Sequence, residues 1–155
     1  MIRLQQEDFE IGAEIATVKA GRSDIGAVVA FLGTVRDRAG EASVEEMTIE
    51  HYPGMTEAEL ARIETEACAR WKLQACTIIH RYGTLRAADN IVLVVTASEH
   101  REAAFKAAEF LMDYLKTRAP FWKREKGPKG TRWVEAEGRD ESASARWAET
   151  KDAAE

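Results

Sequence analysis

The stretch that decides the fold is IVLVVTASEHREAAFKAAEFLMDYLKTRAP, residues 91–120. It opens on IVLVVTA, a continuous apolar and β-branched run that reads as a central strand covered on both faces. Then the period changes. Ala104, Ala107, Ala108, Leu111 and Leu115 recur at helical spacing and predict one long helix over Glu99–Arg118. Ser98 is placed to cap it, Glu99 and Glu102 suit the positive end of its dipole, and Pro120 stops it.

Outward from this unit, other segments supply partners. Ile25–Val35 reads as a buried strand, Val44–Tyr52 as an alternating strand, and Ala75–Tyr82 as a strand ended by Gly83. Phe9–Ala20 predicts a short amphipathic helix on Phe9, Ile11, Ile15 and Val18. A second helix runs to about Trp71, with Thr56 as N-cap, Glu59 completing a capping box, and a core stripe of Leu60, Ile63, Ala67 and Trp71. Arg36–Ser43 is a polar turn, Trp133–Val134 a last short strand, and the residues from Gly138 onward a loose helix or fraying tail. Helices interleaved with adjacent strands imply an α+β fold with a mixed, largely antiparallel sheet.

At 155 residues, 45% hydrophobic and 32% charged, the chain has the size and balance of one globular domain, taken as 1–155. No apolar run approaches the ~18 residues that span a bilayer. MIRLQQEDFE lacks a basic segment followed by an apolar one, so a cytoplasmic chain is expected. Cys68 and Cys76 read as buried thiols, and His51, His80 and His100 show no ligand spacing. Phosphate-loop, dinucleotide and serine-elbow motifs are missing too, so neither metal nor cofactor is expected.

Charge is uneven. Lys116 to Arg132 holds seven basic residues and only Glu125 as an acid, +6 net, while the other 138 residues carry −11. An acidic chain with one basic segment is equipped to hold an anion there. The same segment contains Ala119, Pro120, Phe121 and Trp122, which want burial, so the cations are expected to border a pocket around an aromatic turn. Lys116, desolvated among cations, is a candidate base or nucleophile. Lys123 and Arg124 offer a point charge and a planar fork for phosphate or carboxylate, and Glu125 can orient either. His100 and Arg101 lie in the first turn of the long helix, where free N–H groups favour anions. Arg36 ends a strand at GTVRD, with Thr34 and Val35 bringing backbone to the same place. Sixteen residues of helix put His100 and Lys116 about 24 Å apart. One small ligand can hardly meet both within one chain, so either one of them is a bystander or the site is built across a subunit boundary.

GAVVAFLGTVRD, IEHYPGMTEAEL, IIHRYGTL, SEHREAAFKAAEFLMDYLKTRAPFWKRE and RWVEA, in this order from about Ile25 to Ala136, resemble the large, catalytic subunit of molybdopterin synthase. DYLKTRAPFWKRE is the most specific of them. The resemblance implies an α/β hammerhead fold and a homodimer at the centre of a heterotetramer. Each outer partner would be a small ubiquitin-like sulfur carrier whose C-terminal Gly-Gly ends as a thiocarboxylate. The implied reaction installs two dithiolene sulfurs on cyclic pyranopterin monophosphate. Lys116 matches the essential lysine of the family and Lys123 its second catalytic lysine. Arg36, His100, Arg101, Arg124 and Glu125 match pocket positions, with Thr34 and Val35 on the same loop. Thr34 stands where some members carry lysine, and after RWVEA the first arginine is Arg139.

Two other classes compete. A nucleic-acid module would use KREKGPKG with Phe121 and Trp122 for phosphate contact and stacking. A purely structural subunit would use Lys116 and Lys123 for interface ion pairs alone.

Overall fold

A computed structural model describes residues 1–134 and 138–149. Its strands divide between two four-stranded sheets and one short hairpin. In the first sheet β8 (Asn90–Ser98) lies between β6 (Ala75–Arg81) and β2 (Ala27–Thr34), antiparallel to both, and β1 (Ile2–Gln5) joins β6 in parallel. The second is antiparallel throughout, in the order β10 (Gly130–Val134), β9 (Phe121–Gly127), β5 (Glu46–His51) and β7 (Gly83–Arg86). The hairpin pairs β3 (Arg38–Ala39) with β4 (Ala42–Ser43). This is the mixed, largely antiparallel α+β arrangement that the patterning predicts.

Alternation along β6 and β8 separates two cores. Ile79, Leu93, Val95 and Ala97 meet Val18 of α1 (Ile11–Lys19) on one face. Ile78, Val92 and Val94 meet α2 (Met55–Trp71) and α3 (Arg101–Thr117) on the other. Leu60, Ile63, Ala67, Phe110 and Leu111 are all at most 1% exposed there, and each large one contributes about 2–3 kcal/mol by leaving water. The stripes expected of α2 and α3 are therefore their buried faces. Residues 138–149 form α4 (Gly138–Glu149), held by α3: the Trp147 indole N–H donates to Asp113 at 2.6 Å, and the ring meets Trp71 and Phe110 edge-on.

Several local expectations are corrected. β2 is an edge strand, so Phe31 and Leu32 are 38% and 37% exposed rather than buried. The N-cap of α2 is Gly54, whose N–H is taken by the Glu57 carboxylate at 2.6 Å. The Thr56 hydroxyl instead accepts from the Tyr52 amide and donates to the Pro120 carbonyl, tying α2 to the entry of β9. Ser98 ends β8, its hydroxyl donating to the His100 carbonyl, and His100 is the N-cap of α3, so the helix starts later than its charge pattern suggests. β7 has no counterpart in the sequence reading. GTLR is too short to show a period, and pairing with β5 makes it a strand.

Candidate active site

The basic segment is no loop. Lys116 and Arg118 end α3, and from Phe121 onward the segment forms the β9–β10 hairpin, whose period of two distributes its charges. Phe121, Lys123 and Glu125 turn inward, whereas Trp122, Arg124 and Lys126 turn outward. Trp122 is 42% exposed, against the expectation of burial. Arg124 stands 3.9 Å from Glu50 and 5.5 Å over the Trp133 ring, and Lys126 is 3.9 Å from Glu46. Lys123 and Arg124 therefore do not share one pocket, and the outward cations are met by acids of β5.

Inward, a cavity of about 250 Å³ opens where β2, α3 and β9 converge. Thr34, Arg36, Arg38, Lys116, Lys123, Glu125 and Asp140 line it. A recess of about 70 Å³ between Lys116 and Lys123 reaches His80 on β6. The end of α3 supplies Lys116, one residue after the buried Leu115, so the exposed lysine turns over the cavity mouth. Lys123 is the deeper cation. Burial, then the neighbouring Lys116 ammonium, brings it down from the usual 10.5 to about 8, with Asp140 and Glu125 opposing. Sequence reasoning gave the role of perturbed lysine to Lys116; depth in the cavity, which spacing does not report, gives it to Lys123. Glu125 is 8% exposed and accepts from the Arg132 guanidinium at 2.8 and 3.1 Å through one oxygen, which fixes the wall of the site.

The remaining predicted positions are dispersed. Val35 is 2% exposed and its side chain belongs to the core; only its backbone, bonded to Asp89 and Ala88, borders the loop of Thr34 and Arg36. His100 and Arg101 are exposed at the far end of α3, with Glu99 3.8 Å from the His100 ring. One chain thus brings together Thr34, Arg36, Lys116, Lys123 and Glu125, and leaves His100, Arg101 and Arg124 outside. The side chain of Arg139 lies outside the described residues.

Residues that the sequence reading passed over are also present. Arg38 and Asp140 reach the cavity from β3 and α4. His80 is 3% exposed, and burial among Lys123, Lys116 and His51 pushes its imidazole down to about 3. The signal for His80 is its place on the alternation of ACTIIHR, in phase with Cys76 and Ile78. Cys68 and Cys76 are free thiols, half-buried and buried, and the neighbouring Cys76 thiol brings Cys68 down to about 7. Among the described residues no three His, Cys, Asp or Glu side chains gather as a metal site.

A cavity between two lysines and an arginine, set where two four-stranded sheets and α3 meet, makes this an α+β domain whose site is suited to an anion. Comparison narrows this class: the chain belongs to the MoaE protein family, whose model matches residues 4–118. It is 56% identical over 148 residues to the molybdopterin synthase catalytic subunit of Mesorhizobium japonicum, covering 94% of this chain and 92% of that one. Its fold is similar to the molybdopterin biosynthesis MoaE protein from Burkholderia ambifaria, with a TM-score of 0.81, 49% identity and coverage of 96% and 97%. A complex of subunits 1 and 2 of molybdopterin-converting factor from Helicobacter pylori shares the fold at a TM-score of 0.69 and 17% identity, covering 89% of this chain and 91% of that one.

Proposed function

We propose that this chain is the catalytic subunit of a molybdopterin synthase. It transfers sulfur from the C-terminal thiocarboxylate of a small carrier protein to cyclic pyranopterin monophosphate: the sulfur bonds to the pterin, water cleaves the acyl–sulfur bond, and the carrier leaves as its carboxylate. The observation that carries the reading is one cavity flanked by two lysines and an arginine, with the half-buried Lys123 brought down to about 8. Sulfur addition, loss of the carrier and opening of the cyclic phosphate all develop negative charge and all move protons. Lys116 and Arg36 suit the phosphate and the developing oxyanion. Lys123 is about nine-tenths ammonium at pH 7, so it can give a proton and take one back without a large barrier.

The distance along α3 supports a site completed by a second copy of the chain, whose His100 and Arg101 would meet the first copy's lysines. The unpaired edge of β2, with Phe31 and Leu32 exposed, gives that copy an apolar surface. A small ubiquitin-like carrier is the outer partner, in keeping with the two-subunit complex from Helicobacter pylori. No helix among the described residues is long and apolar enough to cross a membrane. The cytoplasm is the compartment this reading assigns. The nucleic-acid alternative loses its footing because Glu50, Glu46 and Glu125 face Arg124, Lys126 and Arg132.

The test is to mix the purified chain with a thiocarboxylated carrier and the cyclic pterin and to look for dithiolene product. No product with a competent carrier refutes the assignment. Lys116→Ala is expected to leave assembly intact and abolish turnover, whereas a purely structural lysine would weaken assembly. Hybrid dimers of a His100→Ala chain and a Lys116→Ala chain are expected to recover activity, since one of their two sites keeps both residues.

A further inference from the structure

Gly26 stands one residue before β2, and its place in the fold leaves no room for a side chain. A Cβ built on it lies 2.2 Å from the Glu99 carbonyl oxygen and 3.2 Å from the Glu99 carbonyl carbon. Ordinary carbon–oxygen approach stops at about 3.3 Å, so alanine there needs a backbone shift of about 1 Å. Both partners are backbone, and neither can swing aside as the end of a flexible side chain does. Room is the requirement rather than conformation, because the φ of Gly26 is not positive.

The same turn is tied to Gly26 and within itself by hydrogen bonds. The Gly26 N–H donates to the Ser98 carbonyl at 3.0 Å, next to the register pair of Ala27 on β2 and Ser98 on β8. The buried Ser98 hydroxyl donates to the His100 carbonyl. That carbonyl also accepts from the Ala104 amide at 3.5 Å, the bond that opens α3. Ser98, Glu99 and His100 thus lead from the end of β8 to the N-cap of α3 with their backbone pressed against the entry to β2. His100 and Arg101 leave this turn fully exposed, so the direction they take follows the backbone beneath them.

β2 is also the edge strand whose exposed Phe31 and Leu32 offer a surface to a second copy. Gly26 joins that edge to the turn that presents His100 and Arg101. We propose that Gly26 is a positioning residue of the shared site: the close approach its missing side chain allows sets where His100 and Arg101 stand relative to the β2 edge, and so where they meet the second copy's lysines. The proposal deepens the function above and rests on the site being completed by a second copy. Whichever side yields to a Cβ, the turn or the entry to β2, the spacing between edge and turn changes by about 1 Å. A displacement of that size away from the reacting atoms costs up to about a hundredfold in rate. The chain's own lysine cavity is spared, since it adjoins Thr34 at the other end of β2 and Lys116 at the other end of α3.

Hybrid dimers separate this role from general damage, with turnover read on thiocarboxylated carrier and the cyclic pterin. The Gly26→Ala homodimer is expected to lose about ten- to a hundredfold in turnover. Paired with a Lys116→Ala chain, the Gly26→Ala chain supplies an intact lysine cavity and receives an intact turn. One site then works, and activity is expected to match the hybrid of His100→Ala with Lys116→Ala. Paired with a His100→Ala chain, it meets a missing histidine at one site and brings its own displaced turn to the other, so activity is expected to stay low. A fold damaged throughout would leave both hybrids low, and an undisturbed turn would leave both recovered. Ser98→Ala removes the hydroxyl bond beneath His100 and adds no atom. It is expected to show the same asymmetry with a smaller fall, and it decides the matter if Gly26→Ala does not fold or pair. Equal turnover of the two hybrids, or parent turnover in the folded Gly26→Ala homodimer, overturns the proposal while the shared site stands. No recovery in the hybrid of His100→Ala with Lys116→Ala refutes the shared site itself, and the proposal with it.

Discussion

Replacing Lys123 with methionine removes an ammonium that the fold holds at a disadvantage, and the structure sets the size of the effect. The lysine titrates at about 8 in the folded chain against 10.5 ordinarily. At pH 7 the unfolded chain keeps that proton more tightly, which lowers the stability of the native state by about 3 kcal/mol. The sign is that of a depressed cation: the penalty is complete below pH 8 and fades as pH rises toward 10.5. It falls to about 2 kcal/mol at pH 9 and about 0.4 kcal/mol at pH 10.5. Methionine has a similar stem and no charge, so Lys123→Met is expected to be about 3 kcal/mol more stable at pH 7, or roughly 6–12 °C in Tm, and to have lost turnover. Urea melts of both chains at pH 7, 9 and 10.5 measure the difference. A variant no more stable than its parent at pH 7, or a gain that persists undiminished at pH 10.5, would refute the claim that burial and Lys116 hold this lysine at a cost.

Acid acts on His80 in the same direction. Burial brings its imidazole down to about 3 against 6.5, so stability is expected to fall by about 4 kcal/mol as pH drops from 6.5 to 3, and His80→Phe should flatten that part of the acid melt. Gly127→Ala places a Cβ 2.2 Å from the Ser43 carbonyl oxygen, a backbone atom that cannot swing away, so a loss of about 1–3 kcal/mol is expected in a urea melt. Trp147→Ala removes the ring that α4 sets against Trp71 and Phe110, together with its bond to Asp113; residues 138–149 are expected to lose hydrogen-exchange protection while β8 keeps its own.

The legible parts of this fold are those with a long, strong period. IVLVVTA is buried wherever it is placed, and the five-residue stripe of α3 has one face that water rejects, so β8 and α3 follow from residues 91–120 with little outside help. The caps were less legible. Ser98 and Thr56 are both good N-cap types, but each hydroxyl is taken by another backbone partner, and a preference of about 1 kcal/mol yields to such packing. Phe31 and Leu32 read as core because apolar composition does not say whether a strand lies at a sheet's edge. His80 reads only as a histidine without ligand spacing, because a lone histidine on an apolar strand has no neighbour in sequence to single it out.

By itself the sequence determined the class of the fold, the concentration of positive charge between Lys116 and Arg132, and the candidacy of both lysines, because periodicity and charge are properties of neighbours along the chain. Only the tertiary structure decided which cations share a cavity. The two-residue alternation of β9 sends Lys123 inward and Arg124 outward, the length of α3 removes His100 from Lys116, and the crossing of β6 behind β9 brings His80 beneath the pair. Depth, and with it the displaced titration of Lys123, comes from which surfaces meet, and residues far apart in the chain settle that.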